Sequence, residues 1–361
     1  MSSKKGILLA AFGSGSRQGE STLRLFDERV RVRFPGIPVR WAFTSVIMRK
    51  RLAAARKKTD SVLKALQKMW FEKYTHVAVQ SLHIIPGAEY GDLMGDGDAM
   101  QGPHGFAAVR VGTPLLAEDG DIERAASALL GHLPAARQPG EAVVYMGHGT
   151  RHPAEARYDA LACVVQQRDP LVHIGTMNGV CSIDQILPRL ADAGVAKVWL
   201  QPLLAVVGRH AEEDMAGSAE HSWKSRIEAA GMTCAPVLRG TAEYGGFVDI
   251  WLDHLDRAVA ALDDGATREC LVAVPSGGAG PDGGPDAAAS DIRPDAVALE
   301  ASADAAASDI RPDAAASAIS AGAVALDASA GPAEAGTSVD SAERGSTGAS
   351  SPTAGAAGVP E

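Results

Sequence analysis

The sequence predicts an α/β protein of two similar doubly wound domains, each built on a parallel four-stranded sheet. The domains are expected to face one another across a cleft and to be followed by a disordered C-terminal tail. Three observations lead there. Short apolar runs alternate with amphipathic stretches up to about residue 270. Those runs are too apolar to leave one face in water, as befits parallel strands covered by helices on both sides. Finally, the two halves of this region repeat each other.

Taken in order, strands are expected over residues 6–12, 39–44, 76–82, 107–111, 142–146, 172–176, 197–203 and 233–237, each rich in Val, Ile, Leu or Ala. Helices are expected over 21–33, 59–71, 118–133, 153–168, 182–193, 211–230 and 242–262, where apolar positions recur at helical spacing. Residues 134–141 are polar and contain Pro139-Gly140, so a boundary is placed there, between domains at 1–135 and 141–270. The last helix is expected to pack back across the first domain.

The tail, residues 276–361, is dominated by Ala, Gly, Asp, Ser and Pro, without an aromatic side chain. It repeats a ten-residue segment, 287–296, as 305–314. Such a composition cannot bury enough apolar surface to offset chain entropy. The tail also carries 13 acidic and 3 basic side chains, the whole of the formal charge of −10, and leaves 31 of each sign in the rest of the 361 residues. Overall acidity therefore says little about a ligand. There is no basic stripe for nucleic acid, and the cluster Arg49, Lys50, Arg51, Arg56, Lys57, Lys58 is local. Cys163, Cys181, Cys234 and Cys270 have no close spacing and read as reduced thiols. No apolar run approaches a membrane span, and the first is too short for a signal peptide, so a cytoplasmic location is expected. Self-association stays open.

The internal repeat carries the functional argument. Gly13, Gly15 and Arg17 align with Gly147, Gly149 and Arg151, which sets Ser14 opposite His148. Gln80, Gly87 and Glu89 align with Gln201, Gly208 and His210. Related halves that lift polar groups off equivalent strand ends can hold a metal or a small ligand between them. His148 follows an apolar strand and is flanked by glycines, which suits an exposed imidazole better than a packed one. His210 lies where a strand exits towards a helix. Glu212, Glu213 and Asp214 beyond it read simply as favourable charges in a first helical turn. Two imidazoles and a carboxylate suit Co, Ni, Fe or Zn, not Mg or Ca.

Gly13-Ser14-Gly15-Ser16-Arg17-Gln18-Gly19 tempts a dinucleotide reading, but its glycine spacing is one residue too long and no ribose-binding acid follows. No nucleotide is expected, although the serines and amides there could hold a carboxylate. His83 shares a strand exit with Glu89. The remaining histidines read as surface or packing residues.

Several segments together resemble the anaerobic sirohydrochlorin cobaltochelatases of CbiK type, a class II chelatase family. They are Gly147-His148-Gly149-Thr150-Arg151, His173-Ile174-Gly175-Thr176-Met177, the run from Pro202 through His210 to Gly217, Thr44-Ser45 with Ile47-Met48-Arg49, and Gln80 through Tyr90. The resemblance covers roughly residues 5–265, in order. It implies a chelatase-like pair of domains around a tetrapyrrole cleft, with Co²⁺ inserted into sirohydrochlorin for cobalamin and two protons released. It also implies His148, His210 and Glu89 as metal-binding and catalytic residues. At a further family ligand position this chain has Asn178, and before the second histidine it has Arg209 where the family commonly has an acid. Ser14, Arg17, Arg49, Arg151 and His83, with Arg51, are candidates to hold the carboxylated ring. Insertion of Fe²⁺ or Ni²⁺ into siroheme or another tetrapyrrole, or a non-catalytic metal or tetrapyrrole carrier, remain alternatives at this stage.

Overall fold

A computed structural model describes residues 3–263; the tail at 276–361 and Cys270 lie outside the described residues. The first half runs β1 (Lys5–Ala11), α1 (Arg17–Arg33), β2 (Val39–Phe43), α2 (Val46–Ala54), α3 (Val62–Phe71), β3 (His76–Ser81), α4 (Ala88–Ala99), β4 (Ala108–Gly112) and α5 (Asp119–Gly131). The second runs β5 (Ala142–Gly147), α6 (Ala156–Arg168), β6 (Val172–Thr176), α7 (Ile183–Asp192), β7 (Lys197–Pro202), a π-helical turn (His210–Met215), α8 (Trp223–Ala229), β8 (Thr233–Pro236) and α9 (Gly245–Ala260).

Both sheets are wholly parallel and share one topology, β2-β1-β3-β4 in the first and β6-β5-β7-β8 in the second. The repeat read in the sequence is thus a repeat of strand order. Strand alternation explains why the runs look uniformly apolar. On β1, Ile7, Leu9 and Ala11 join one core while Leu8 and Ala10 join the other. On β5, Val143 and Tyr145 face the first core, and Ala142, Val144 and Met146 face another.

One of these cores is common to both sheets. It contains Leu23 and Phe26 of α1, Ile122 and Leu129 of α5, Leu161 of α6, and Phe247, Trp251 and Leu255 of α9. Phe26 meets the fully buried Trp251 edge-on, with centroids 6.1 Å apart. Helix α9 leaves the second half of the chain and lies against β3, β4 and α5. His254 on α9 fixes that docking from inside: Nδ1 donates to Thr113 O at 2.9 Å and Nε2 to Asp121 Oδ1 at 3.0 Å.

Two helices were not anticipated, α2 and α4. The expected helix over 211–230 is broken into the π-helical turn and α8, because Ser222 caps a fresh start through Ser225 N. Both α2 and α4 sit immediately after strand ends, on the side where the candidate residues gather.

Candidate functional site

The site is built at the carboxyl ends of β5, β6 and β7, where a doubly wound sheet presents its loops. His148 follows β5 directly, and His210 opens the π-helical turn after β7. Their rings stand 5.2 Å apart between centroids, at 76°. Two imidazoles bound to one tetrahedral ion through bonds of about 2.0–2.1 Å place their centroids roughly 5 Å apart, so this spacing suits a shared divalent metal.

Second partners fix which nitrogen of each ring is left free. His148 Nδ1 donates to Gly149 O at 2.9 Å. His210 Nδ1 donates to Asp214 Oδ2 at 2.7 Å. Each ring is left with Nε2 as its lone-pair nitrogen, the arrangement of a metal-binding histidine oriented by an outer acceptor. Asp214 was read in the sequence as a helix-start charge. The His-x-x-x-Asp spacing, one helical turn, is the signal that could have revealed it. Arg209 turns to Glu213 instead, Nε to Oε2 at 2.6 Å, so its charge is paired locally.

The loop carrying His148 is held on several sides. Met177 N donates to Gly147 O at 3.1 Å and Asn178 N to His148 O at 3.0 Å. Asn178 is exposed, and it is its backbone that meets the loop. Gly149 has φ +74°, and a β-carbon there would lie 2.6 Å from both Gly179 N and Thr176 Cβ. Gly149→Ala should therefore displace the imidazole as well as strain the turn. Calorimetric titration with Co²⁺ should show at least about ten-fold weaker binding; affinity equal to that of the parent protein would contradict this account of the loop.

Glu89 sits in the first turn of α4, the position in its half that His210 occupies in the other. It is exposed, and its charge reaches both His83 and Tyr158, the latter packed beneath the His148 loop. No three His, Cys, Asp or Glu side chains among the described residues converge on one point, so Glu89 stands apart from the imidazole pair.

Two candidate ring contacts are corrected. Ser14 is 1 % exposed, and its hydroxyl donates to Val207 O at 3.3 Å beside the firmer Ser16 Oγ bond of 2.7 Å to the same carbonyl. It supports the approach to His210 rather than facing a ligand. His83 has both ring nitrogens engaged, Nε2 with Thr44 Oγ1 at 3.1 Å and Nδ1 with Ser81 Oγ at 2.8 Å. Burial holds it below the ordinary imidazole value, with Glu89 pulling partly the other way, so it is no cation for a carboxylate. Arg49 commits Nη1 to the carbonyls of Phe43 and Thr44, the latter at 2.7 Å, and so secures the end of β2.

Arg17, Lys50, Arg51 and Arg151 are exposed and form no ion pair among the described residues. Beyond the ends of β1, β2 and β6, Phe12, Val46, Ile47 and Val180 are exposed apolar side chains. A hollow of about 370 Å³ lined by Glu20, Leu23, Arg24, Asp27, Arg31, Trp41 and Phe43 lies elsewhere, without any of the candidate ligands.

A profile described as cobalt chelatase (CbiK) matches residues 5–260. The chain belongs to the cobalt chelatase (CbiK) family. Among curated CbiK relatives, sirohydrochlorin cobaltochelatase CbiKC of Nitratidesulfovibrio vulgaris (strain Hildenborough) is 76% identical over 261 residues, spanning 72% of this chain and 93% of that protein. The sirohydrochlorin cobaltochelatase of Salmonella typhimurium is 34% identical over 259 residues, spanning 71% and 97%. Among solved structures, SirB from Bacillus subtilis with Fe³⁺ superposes with a TM-score of 0.51 at 16% identity, over 71% of this chain and 96% of that one, a likeness of fold. The CbiK match ends before the tail.

Proposed function

We propose that this protein inserts Co²⁺ into sirohydrochlorin, as a cytoplasmic chelatase of anaerobic cobalamin biosynthesis. The observation that carries the reading is the pair of facing imidazoles, each with Nδ1 tied and Nε2 available, at the strand ends of a CbiK-family chain.

In this reading His148 and His210 receive the metal through Nε2. As the ion passes to the pyrrole nitrogens, each Nε2 lone pair is released. It can then accept a proton from the ring that has just bound the metal. Two N–H protons leave the macrocycle for one Co²⁺ gained, so the pair balances the reaction without a nucleotide. Glu89, on the other half of the duplication, assists delivery of the cation or takes up a proton. The exposed apolar rim suits the face of the macrocycle, and Arg17, Arg51 and Arg151, with Lys50, suit its carboxylates. Asn178 contributes no negative charge, so the resting ion relies on the two imidazoles and water, with Glu89 reserved for delivery or proton uptake.

The test is an anaerobic spectroscopic assay with sirohydrochlorin and Co²⁺, Fe²⁺ or Ni²⁺ in parallel. Insertion of Co²⁺ well above the spontaneous rate is expected. Stoichiometric binding without acceleration would instead make the protein a carrier, and a faster reaction with Fe²⁺ or Ni²⁺ alone would reassign the metal.

A further inference from the structure

Glu155 is the one carboxylate buried beneath the His148 loop among the described residues, 7 % exposed, in a short 3₁₀ turn ahead of α6. It makes no ion pair there. A buried carboxylate is expensive unless hydrogen bonds replace its water. Here each oxygen has one. Oε2 accepts from Thr150 N at 2.9 Å and Oε1 from Thr176 Oγ1 at 2.7 Å. Thr150 belongs to the loop that presents His148; Thr176 ends β6 and starts the loop that carries Asn178. The second loop returns to the first through Met177 N and Asn178 N. Space is closed around the group as well: a β-carbon on Gly179 would lie 1.6 Å from Glu155 Oε1.

Four contacts thus form a closed circuit, from the His148 loop to Glu155, to Thr176, to Met177 and Asn178, and back to Gly147 and His148. A carboxylate is the group that can accept from a peptide N–H and a hydroxyl on opposite oxygens without donating anything itself. On this basis we propose that Glu155 is a positioning residue. It clamps the His148 loop to the loop after β6 and thereby sets the direction of the His148 imidazole. The proposal rests on the chelatase reading for its purpose, not for its test.

The test uses Co²⁺ alone, titrated calorimetrically into the full-length chain under anaerobic conditions, with a thermal melt of each variant. Glu155→Ala should bind Co²⁺ about 10- to 100-fold more weakly, the usual effect of removing an outer-shell support. Glu155→Gln should recover to within about three-fold of the parent, because its amide keeps an acceptor for Thr150 N–H and can donate to Thr176 Oγ1. Recovery by Gln is what a charge-based role would not give, and a loss in Thr176→Val, which keeps the volume but removes the hydroxyl, is what a space-filling role would not give. Unchanged affinity in the Ala variant, or a Gln variant as weak as Ala, overturns the proposal. Should the Ala variant fail to fold, Thr176→Val removes one arm of the clamp. A loss of about three- to ten-fold supports the proposal and none overturns it. A parent protein that binds Co²⁺ but does not metallate sirohydrochlorin would sink the chelatase reading and leave this titration intact.

Discussion

His210→Ala is expected to abolish accelerated cobalt insertion, with a fall of about 10²- to 10⁴-fold, the range in which losing a positioned proton acceptor falls. The substitution removes one of two nitrogens placed for the ion, and it also strands Asp214, whose carboxylate otherwise receives Nδ1–H at 2.7 Å. Fold should survive, because the His210 side chain is 42% exposed. A thermal melt near that of the parent together with lost Co²⁺ binding is the expected pair of results. Asp214→Asn keeps the imidazole and changes only what orients it, so its loss should be the smaller one, about 10- to 100-fold. An insertion rate unaffected by His210→Ala would remove this residue from the mechanism.

The second large effect concerns stability. His254 and Asp121 are both essentially buried, at 0% and 4% side-chain exposure, and join α9 to α5 beneath the first sheet. Both imidazole nitrogens face acceptors, Thr113 O and the Asp121 carboxylate. Removing one partner leaves the other's charge buried without its counter-charge, though Asp121 keeps Glu118 N–H and His254 keeps Thr113 O; breaking such a pair typically costs about 3–5 kcal/mol. For a chain of this size that is a drop on the order of 10 °C in melting temperature. Asp121→Ala and His254→Ala should each show it, and the double variant should lose much less than their sum. Melts within about 2 °C of the parent would contradict the assignment.

The same pair sets a pH dependence. Burial pushes the Asp121 carboxyl up, but the hydrogen bond and charge of His254 outweigh it and hold the group below its ordinary 3.8. A depressed carboxyl stabilises the fold above its unfolded value, and that contribution is lost as pH falls through the folded value. The parent should therefore lose this contribution only below about pH 3.8, and Asp121→Ala should flatten that part of the acid limb.

The strands were readable because parallel strands buried on both faces leave unbroken apolar runs, and the duplicated strand order was readable from the aligned glycines and glutamines. Gln80 and Gln201 are in fact both fully buried on equivalent strands, β3 and β7. The helices α2 and α4 escaped for separate reasons. Only Leu52 of α2 is buried, so no apolar stripe marks it. In α4 three glycines, Gly91, Gly95 and Gly97, imitate a loop. Gly97 is there for packing: a β-carbon would sit 3.3 Å from Val109 and 3.4 Å from Val111.

At the site, the two histidines were legible from their setting, a glycine-flanked strand exit and a strand-to-helix junction. Their supports were not. Asp214 looked like a capping charge and nothing in the sequence singled out Glu155, because hydrogen bonds between loops leave no periodic trace. Ser14 misled through its alignment with His148. Its hydroxyl has turned inward to Val207 O, and the imidazole pair belongs to one half of the duplication alone.

The proposed reaction turns on one divalent ion shared by His148 and His210. Anomalous diffraction at the cobalt edge, from crystals of the full chain soaked anaerobically in Co²⁺, tests it most directly. A single strong peak is expected at bonding distance, about 2.0–2.1 Å, from Nε2 of both rings. A peak bound elsewhere, with both Nε2 atoms left uncoordinated, would contradict it.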